Sequence, residues 1–565
     1  MPTFVRNKFL KYLLIVSKLV VFSSCATIGL NMLHKTPKKA AKIPTFNACD
    51  SLRGVLNPFR ECYDVYYYAL DIEFNLDKKS IHGSVGFWYT VVKDFDLLQI
   101  DLYENMIIDS IVSANVQCQF NRKCNAVFVN LPQNSLIAEK GFFKVYYHGI
   151  PLEAKRPPWE GGFVWAKDKD NNPWNAVTCE VAGASLWWPV KDHLSDEPDS
   201  MQMTYTVPEG LKCIGNGVLT DSVTRKGLSS YTWKVHYPIN TYNVTFYVGN
   251  FEHFAISYTS KFEPFKLEFY VLPYNSEKAK DHFLQVPDII RFYEKSFGPY
   301  PWPKDGFKLI ESPFAGMEHQ SAIAYGNGFK NHYNFGFDYI ILHEAAHEWW
   351  GNSVSVPDYA EIWIHEGFAT YSEAMYIENL YGYEKYLSYL RVYAILIKNK
   401  RPVVGPHDVN FWDYKDADVY MKGALVLHTL RNSLRNDTLF FEIISGFYQK
   451  FAHKTAVTKD FIDFVNEKTQ KDYTAFFEQY LYNRTCPELE WEFFFNKEKQ
   501  KNEIYYRWSN AVDSFSIPIK VKTGTRTFVI KPTNKLQKSE LPTEKSVIIN
   551  PEGSYIASKR THKFK

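Results

Sequence analysis

Apolar and polar residues alternate in short runs from about Cys62 to His253, as in YDVYYYALDIEFNL, GSVGFWYTVV, LLQIDLY, GFFKVYYHG and SSYTWKVHY. Alternation with period two, broken by Gly, Asn, Asp and Pro, marks strands with one buried face, and several of them in succession predict a β-sandwich. From about Leu284 the spacing lengthens to that of helices, in QVPDIIRFYEKSF, FDYIILHEAAHEWW and EIWIHEGFATYSEAMYIENLYG, the last stopping at a glycine. VYMKGALVLHTLRNSL, TLFFEIISGFYQKFAHK and VTKDFIDFVNEKTQ continue the helical period. Beyond Cys486 alternation returns in NEIYYRWS, FSIPIKVKT, TFVIKP and KSVIINP. The pattern predicts an α+β multidomain chain: an N-terminal β-sandwich over 51–258, a mostly helical domain over 259–485 and a small C-terminal β-domain over 486–565.

A chain of 565 residues is too long for a single core, in keeping with three domains. With 45% hydrophobic and 22% charged residues it reads as globular. The formal charge of +3 is close to balance and no Lys/Arg block is present, so nucleic acid is not an expected partner. The extreme N-terminus carries a different signal. Arg6, Lys8 and Lys11 flank YLLIVSKLVVFSSC, the shape of an export signal over 1–25. The run is interrupted by Lys18 and is too short for a comfortable membrane span of ~20 residues. VVFSSC resembles a bacterial lipoprotein cleavage box in which Cys25 becomes the lipidated first residue; plain secretion and an uncleaved anchor are the alternatives. Residues 26–50 would then be a tether, and the expected location is the bacterial cell envelope, by lipid anchor, or the medium. Eight cysteines without a C-x-x-C suit an exported protein and do not suggest a cysteine zinc site. Cys118 and Cys124 flank QFNRK and either close a hairpin or remain free thiols.

The candidate chemistry lies in HEAAH, which begins at His343. Residues four apart share one face of a helix, so the imidazoles of His343 and His347 can meet one ion, while Glu344 stands beside it as a base toward water. A chance H-E-x-x-H in a chain with 16 histidines has odds of about one in forty. Glu366 adds a carboxylate on the next predicted helix, after a Gly stop and a Pro-Asp turn that let the chain fold back. Two His and one Glu leave a fourth position open, the catalytic rather than the structural pattern of zinc. Glu373, two turns beyond Glu366, faces the same way and can hold a ligating histidine by its free N–H.

H-E-x-x-H, eighteen residues, then Glu, preceded by AGMEHQ, resembles the gluzincin aminopeptidases of the aminopeptidase N family, relatives of leukotriene A-four hydrolase. The resemblance spans roughly residues 60–500 and implies a thermolysin-like catalytic domain with one Zn²⁺ per chain held by His343, His347 and Glu366. It implies that a zinc-activated water attacks the peptide bond with Glu344 as general base, and that peptides with a free N-terminus are the substrates. Ala315, Gly316 and Met317 would lie along the substrate as a strand, and Glu318 would bind its α-amine. Ala315, His319 and His365 depart from the family's commonest residues. Tyr420, opening YMKG, would stabilise the oxyanion, and Glu180, in TCEVAGASLWWP, would give the amine a second carboxylate. A thermolysin-type zinc endopeptidase, an inactive scaffold on the same fold and a lipid-epoxide hydrolase are the alternatives.

Overall fold

The alternating runs of the N-terminal part fold as strands, and their burial rhythm shows why. Tyr63–Asn75 runs antiparallel to Ser80–Val91 and parallel to Ser200–Pro208 inside an eight-stranded sheet. Along Ser200–Pro208 the buried residues are Met201, Met203, Tyr205 and Val207, every second position. In Tyr63–Asn75 the register slips between Val65 and Tyr67, and at this bulge the alternation of burial breaks. A three-stranded sheet and a four-stranded sheet that includes Pro173–Thr178 complete this part. Its aromatic residues form the core: Tyr68 meets Phe87 and Trp188 edge-on, Phe87 stacks on Phe143, and Phe246 packs against Trp187 and Tyr205. The computed structural model describes residues 40–42, 44–135, 137–412, 416–542 and 546–564.

A five-stranded mixed sheet opens the middle part, in the order Glu252–Tyr258, Phe265–Val271, Phe307–Glu311, Ile323–Tyr325, Gly316–Met317. The last strand is an edge, antiparallel to Ile323–Tyr325. Periodicity does not reveal the final three strands, because they are two to five residues long and every residue in them is buried, which leaves no alternation to read. The helical runs appear as α1 (Val286–Ser296), α2 (Tyr339–His347), α3 (Trp363–Tyr381), α4 (Tyr383–Leu396) and α5 (Asp418–Leu434). From Trp363 to Ile377 every residue of α3 is buried, so this helix runs through the core. It meets α5 with backbones in contact: a Cβ on Gly423 would lie 2.8 Å from the Cα of Gly367. Only glycine at both positions allows that approach. A four-stranded and a three-stranded sheet form the C-terminal part. Among the described residues no helix is long and apolar enough to cross a membrane.

Two expectations are corrected. Residues 40–50 were expected in a tether, yet Ala41 N donates to Lys400 O, the Phe46 ring meets Phe411, and Ala48–Gly54 forms a helix capped by Asn47. Cys124 pairs with Cys49, 75 residues away, rather than with Cys118, which is buried as a free thiol. The export signal, most of the tether and Cys25 lie outside the described residues.

Candidate active site

Helix α2 starts at Asp338, whose side chain accepts from Ile340 N at 2.9 Å and caps the helix. One turn apart on it, His343 and His347 bring their Nε2 atoms within 3.2 Å of each other. Glu366 Oε2, from the first turn of α3, lies 3.3 Å from His343 Nε2 and 3.5 Å from His347 Nε2. Donors at ~2.0–2.1 Å from a tetrahedral ion stand about 3.3–3.4 Å apart, so the three side chains already have the spacing of zinc ligands. The tautomers agree. His347 Nδ1 donates to the carbonyl of Trp350 at 2.8 Å and His343 Nδ1 to Glu373 Oε1 at 2.6 Å, which leaves both Nε2 lone pairs facing Glu366. Glu373 is fully buried and also accepts from Tyr393 at 2.6 Å and from Tyr389, one turn away on α4.

Electrostatics point the same way. Against burial, which favours the neutral acid, the hydrogen bonds and charge of His343 and His347 hold Glu366 down at about 2. Against burial, which favours neutral rings, Glu366 pulls both imidazoles toward the protonated form. The cluster calls for positive charge at its centre, and these donors suit zinc.

Three more carboxylates reach this point. Glu344, Glu318 and His347 bring ligand atoms within 4.8 Å of one another, and all three residues are buried. Gly316 packs directly on Glu344: a Cβ there would fall 2.4 Å from Glu344 Oε1. Glu318, next to the edge strand Gly316–Met317, accepts from Tyr242 Oη at 3.1 Å, and its carbonyl accepts from Asn352 Nδ2 at 2.8 Å. Glu180, in the turn after Pro173–Thr178, is 3% exposed, and its Oε1 is buried with no partner. Burial, then the neighbouring Glu318, Glu366 and Glu344, push its carboxyl well above the usual range. Tyr420, at the start of α5, lies 6.1 Å from His343 ring to ring. Burial and the carboxylates Glu366 and Glu180 raise its phenol well above the ordinary value, which keeps it a donor. Ala315 is exposed at the start of the strand; Gly316 and Met317 are buried. Of the residues singled out, His343, His347, Glu366, Glu344, Glu318 and Gly316 come together here, with Glu373 behind His343. Tyr242, Tyr389 and Tyr393 were not singled out, for among 39 tyrosines nothing local marks them.

Residues 283–480 match the family model described as the peptidase family M1 domain. That segment covers about a third of the chain. All three metal-spaced residues, Glu344 and Tyr420 fall inside the matched segment, whereas Glu180 comes from the β-rich part before it. Among curated proteins, endoplasmic reticulum aminopeptidase 1 of Rattus norvegicus is 28% identical over 268 residues, 44% of this chain and 28% of that protein. Leucyl aminopeptidase of Saccharolobus solfataricus is 24% identical over 284 residues, 47% of this chain and 36% of its own length. The chain therefore matches little more than a third of these relatives at most. An M1 zinc metallopeptidase of Deinococcus radiodurans, solved by crystallography, shares the fold with a TM-score of 0.65 at 21% identity, over 76% of this chain and 95% of that one. A mutant of that protein bound to the substrate Tyr-Ser-Ala superposes with a TM-score of 0.63 at 22% identity.

Proposed function

We propose that the protein is a zinc-dependent aminopeptidase that removes the N-terminal residue from peptides. The observation that carries this reading is the surplus of buried acid: beyond Glu366 and Glu344, the pocket holds Glu318 and Glu180, with one oxygen of Glu180 lacking any partner. Buried carboxylates without counter-charge are unfavourable, so the site favours a ligand that brings a cation. An α-ammonium about 4 Å from one of them gains ~4 kcal/mol at an effective dielectric of 20, before desolvation is subtracted. An internal peptide offers only a neutral amide there.

His343, His347 and Glu366 would hold the zinc, which when bound supplies Lewis acidity toward water and the scissile carbonyl. The edge strand Gly316–Met317 offers unpaired backbone groups for an extended substrate. Glu318 and Glu180 take the ammonium and so set which bond lies beside Glu344. Glu344 accepts a proton from the attacking water and returns it to the departing amine. Tyr420 donates to the oxygen that gains charge as the carbonyl carbon becomes tetrahedral. A panel of aminoacyl reporters, free and N-acetylated, tests the reading with and without chelator. Turnover should require the free amine and stop with chelator; equal cleavage of acetylated substrates would point instead to a thermolysin-type endopeptidase. The Cys49–Cys124 disulfide supports an exported setting, because such bridges persist in oxidising compartments. If Cys25 carries a lipid, Cys25→Ser releases the protein from the membrane fraction; retention there would refute the anchor.

A further inference from the structure

The turn that presents Glu180 is tight and strained. Ala182 N donates to Glu180 O at 2.6 Å and Gly183 N to Cys179 O at 2.7 Å. Between them Val181 sits at φ 59°, a left-handed conformation that β-branched residues rarely adopt. Such a conformation persists only where its surroundings over-determine it. Asp192 accepts from the backbone N–H groups of Ala184 and Ser185, at 3.2 Å each, and Tyr103 donates to Ala182 O at 2.9 Å. The carbonyl of Val181 itself, the strained residue beside Glu180, accepts from Arg53 Nη2.

Arg53 reaches this point from a strap outside the M1 domain, residues 44–54, which is fixed along its length. The Cys49–Cys124 bridge ties it to the β-rich part. Gly54 lies against the backbone of Asp408, where a Cβ would fall 2.3 Å from the carbonyl, and Phe46 meets Phe411 edge-on at 5.5 Å. The carbonyl of Arg53 accepts from Arg60 at 2.8 Å, and its guanidinium lies over the Tyr103 ring at 5.8 Å. The strap thus arrives with one cation aimed at one carbonyl. We propose that Arg53 is a positioning residue that holds the Glu180 turn in its amine-binding form, so that a segment outside the M1 domain helps set the preference for a free N-terminus. Without that donor the strained peptide is free to relax, and Glu180 moves with it. The inference rests on the aminopeptidase reading.

The test is kinetic, on the full chain, with the aminoacyl p-nitroanilide that the unmodified protein cleaves fastest and with its N-acetyl counterpart. Arg53→Ala should raise KM for the free-amine substrate about tenfold, with kcat within about threefold and metal content unchanged. Arg53→Lys, which keeps a cationic donor, should recover part of the loss. In a Glu180→Ala background Arg53→Ala should add less than about a twofold change, because the two residues act through one turn. An unchanged KM, or the same KM penalty with and without Glu180, overturns the inference. If Arg53→Ala does not fold, Arg53→Lys is compared in the two backgrounds by the same criterion. Equal cleavage of both substrates by the unmodified protein overturns the aminopeptidase reading. Discrimination between the substrates with a KM indifferent to Arg53 overturns this inference alone.

Discussion

Gly316→Ala is the sharpest probe of how Glu344, the proposed base, is held. The added Cβ falls 2.4 Å from Glu344 Oε1, 3.0 Å from Glu344 Cδ and 2.9 Å from Ile340 Cγ2. Gly316 is not among the left-handed glycines, so the backbone tolerates alanine and the effect is steric. Comfortable contact begins near ~3.5 Å, so the Glu344 carboxylate must retreat by about 1 Å. A displacement of that size from a working geometry costs about 10²-fold in rate, or about 2.7 kcal/mol on the barrier. Overpacking removes a further ~1–3 kcal/mol of stability, which a thermal melt reads separately. The three atoms nearest the new methyl belong to Glu344 and Ile340 rather than to His343, His347, Glu366 or Glu373, so zinc stoichiometry by elemental mass spectrometry should stay at one. Steady-state kinetics with a free-amine reporter should show kcat down about 10²-fold and KM within about threefold. A kcat within threefold of the unmodified protein would refute the argument, because the position of Glu344 would then not matter to the chemistry. Loss of metal would show that the clash passes through α2 to the ligands.

Three further outcomes are expected. Glu373→Gln keeps the shape but removes the charge that His343, Tyr389 and Tyr393 share, and should weaken zinc binding by about 10–100-fold in a chelator competition; unchanged affinity would remove Glu373 from the metal site. Glu318→Gln replaces a charged acceptor with a neutral one and should raise KM for free-amine substrates by about 10–100-fold; an unaltered KM would exclude it from amine binding. Tyr420→Phe removes the proposed oxyanion donor, 6.1 Å from His343 ring to ring, and should lower kcat by about 10²–10³-fold with a smaller change in KM; the reverse split would make it a binding residue.

The metal motif was legible because its geometry is local. His343 and His347 share a helix face by the 3.6-residue period alone, and a second helix was foreseen for Glu366 from the Gly stop and the turn before it. Strand rhythm in the β-rich part was legible for the same reason, as in the strict alternation of Ser200–Pro208. The short buried strands around Gly316 were not, since a strand buried on both faces has no polar phase.

Residue spacing by itself determined which side chains stand on one face of an element, and therefore that an ion could be gripped by His343 and His347 with Glu344 alongside. What each face meets is a matter of contacts far apart in the chain: Glu373 with Tyr389 and Tyr393 of another helix, Glu318 with Tyr242, Gly367 against Gly423, Cys49 with Cys124, and Arg53 with Val181. Periodicity records burial but not the partner that causes it, because any apolar surface satisfies the same alternation while hydrogen bonds and close backbone approach require one particular neighbour. The tertiary structure alone decided those neighbours, and with them how the surplus acid of the pocket is held in place.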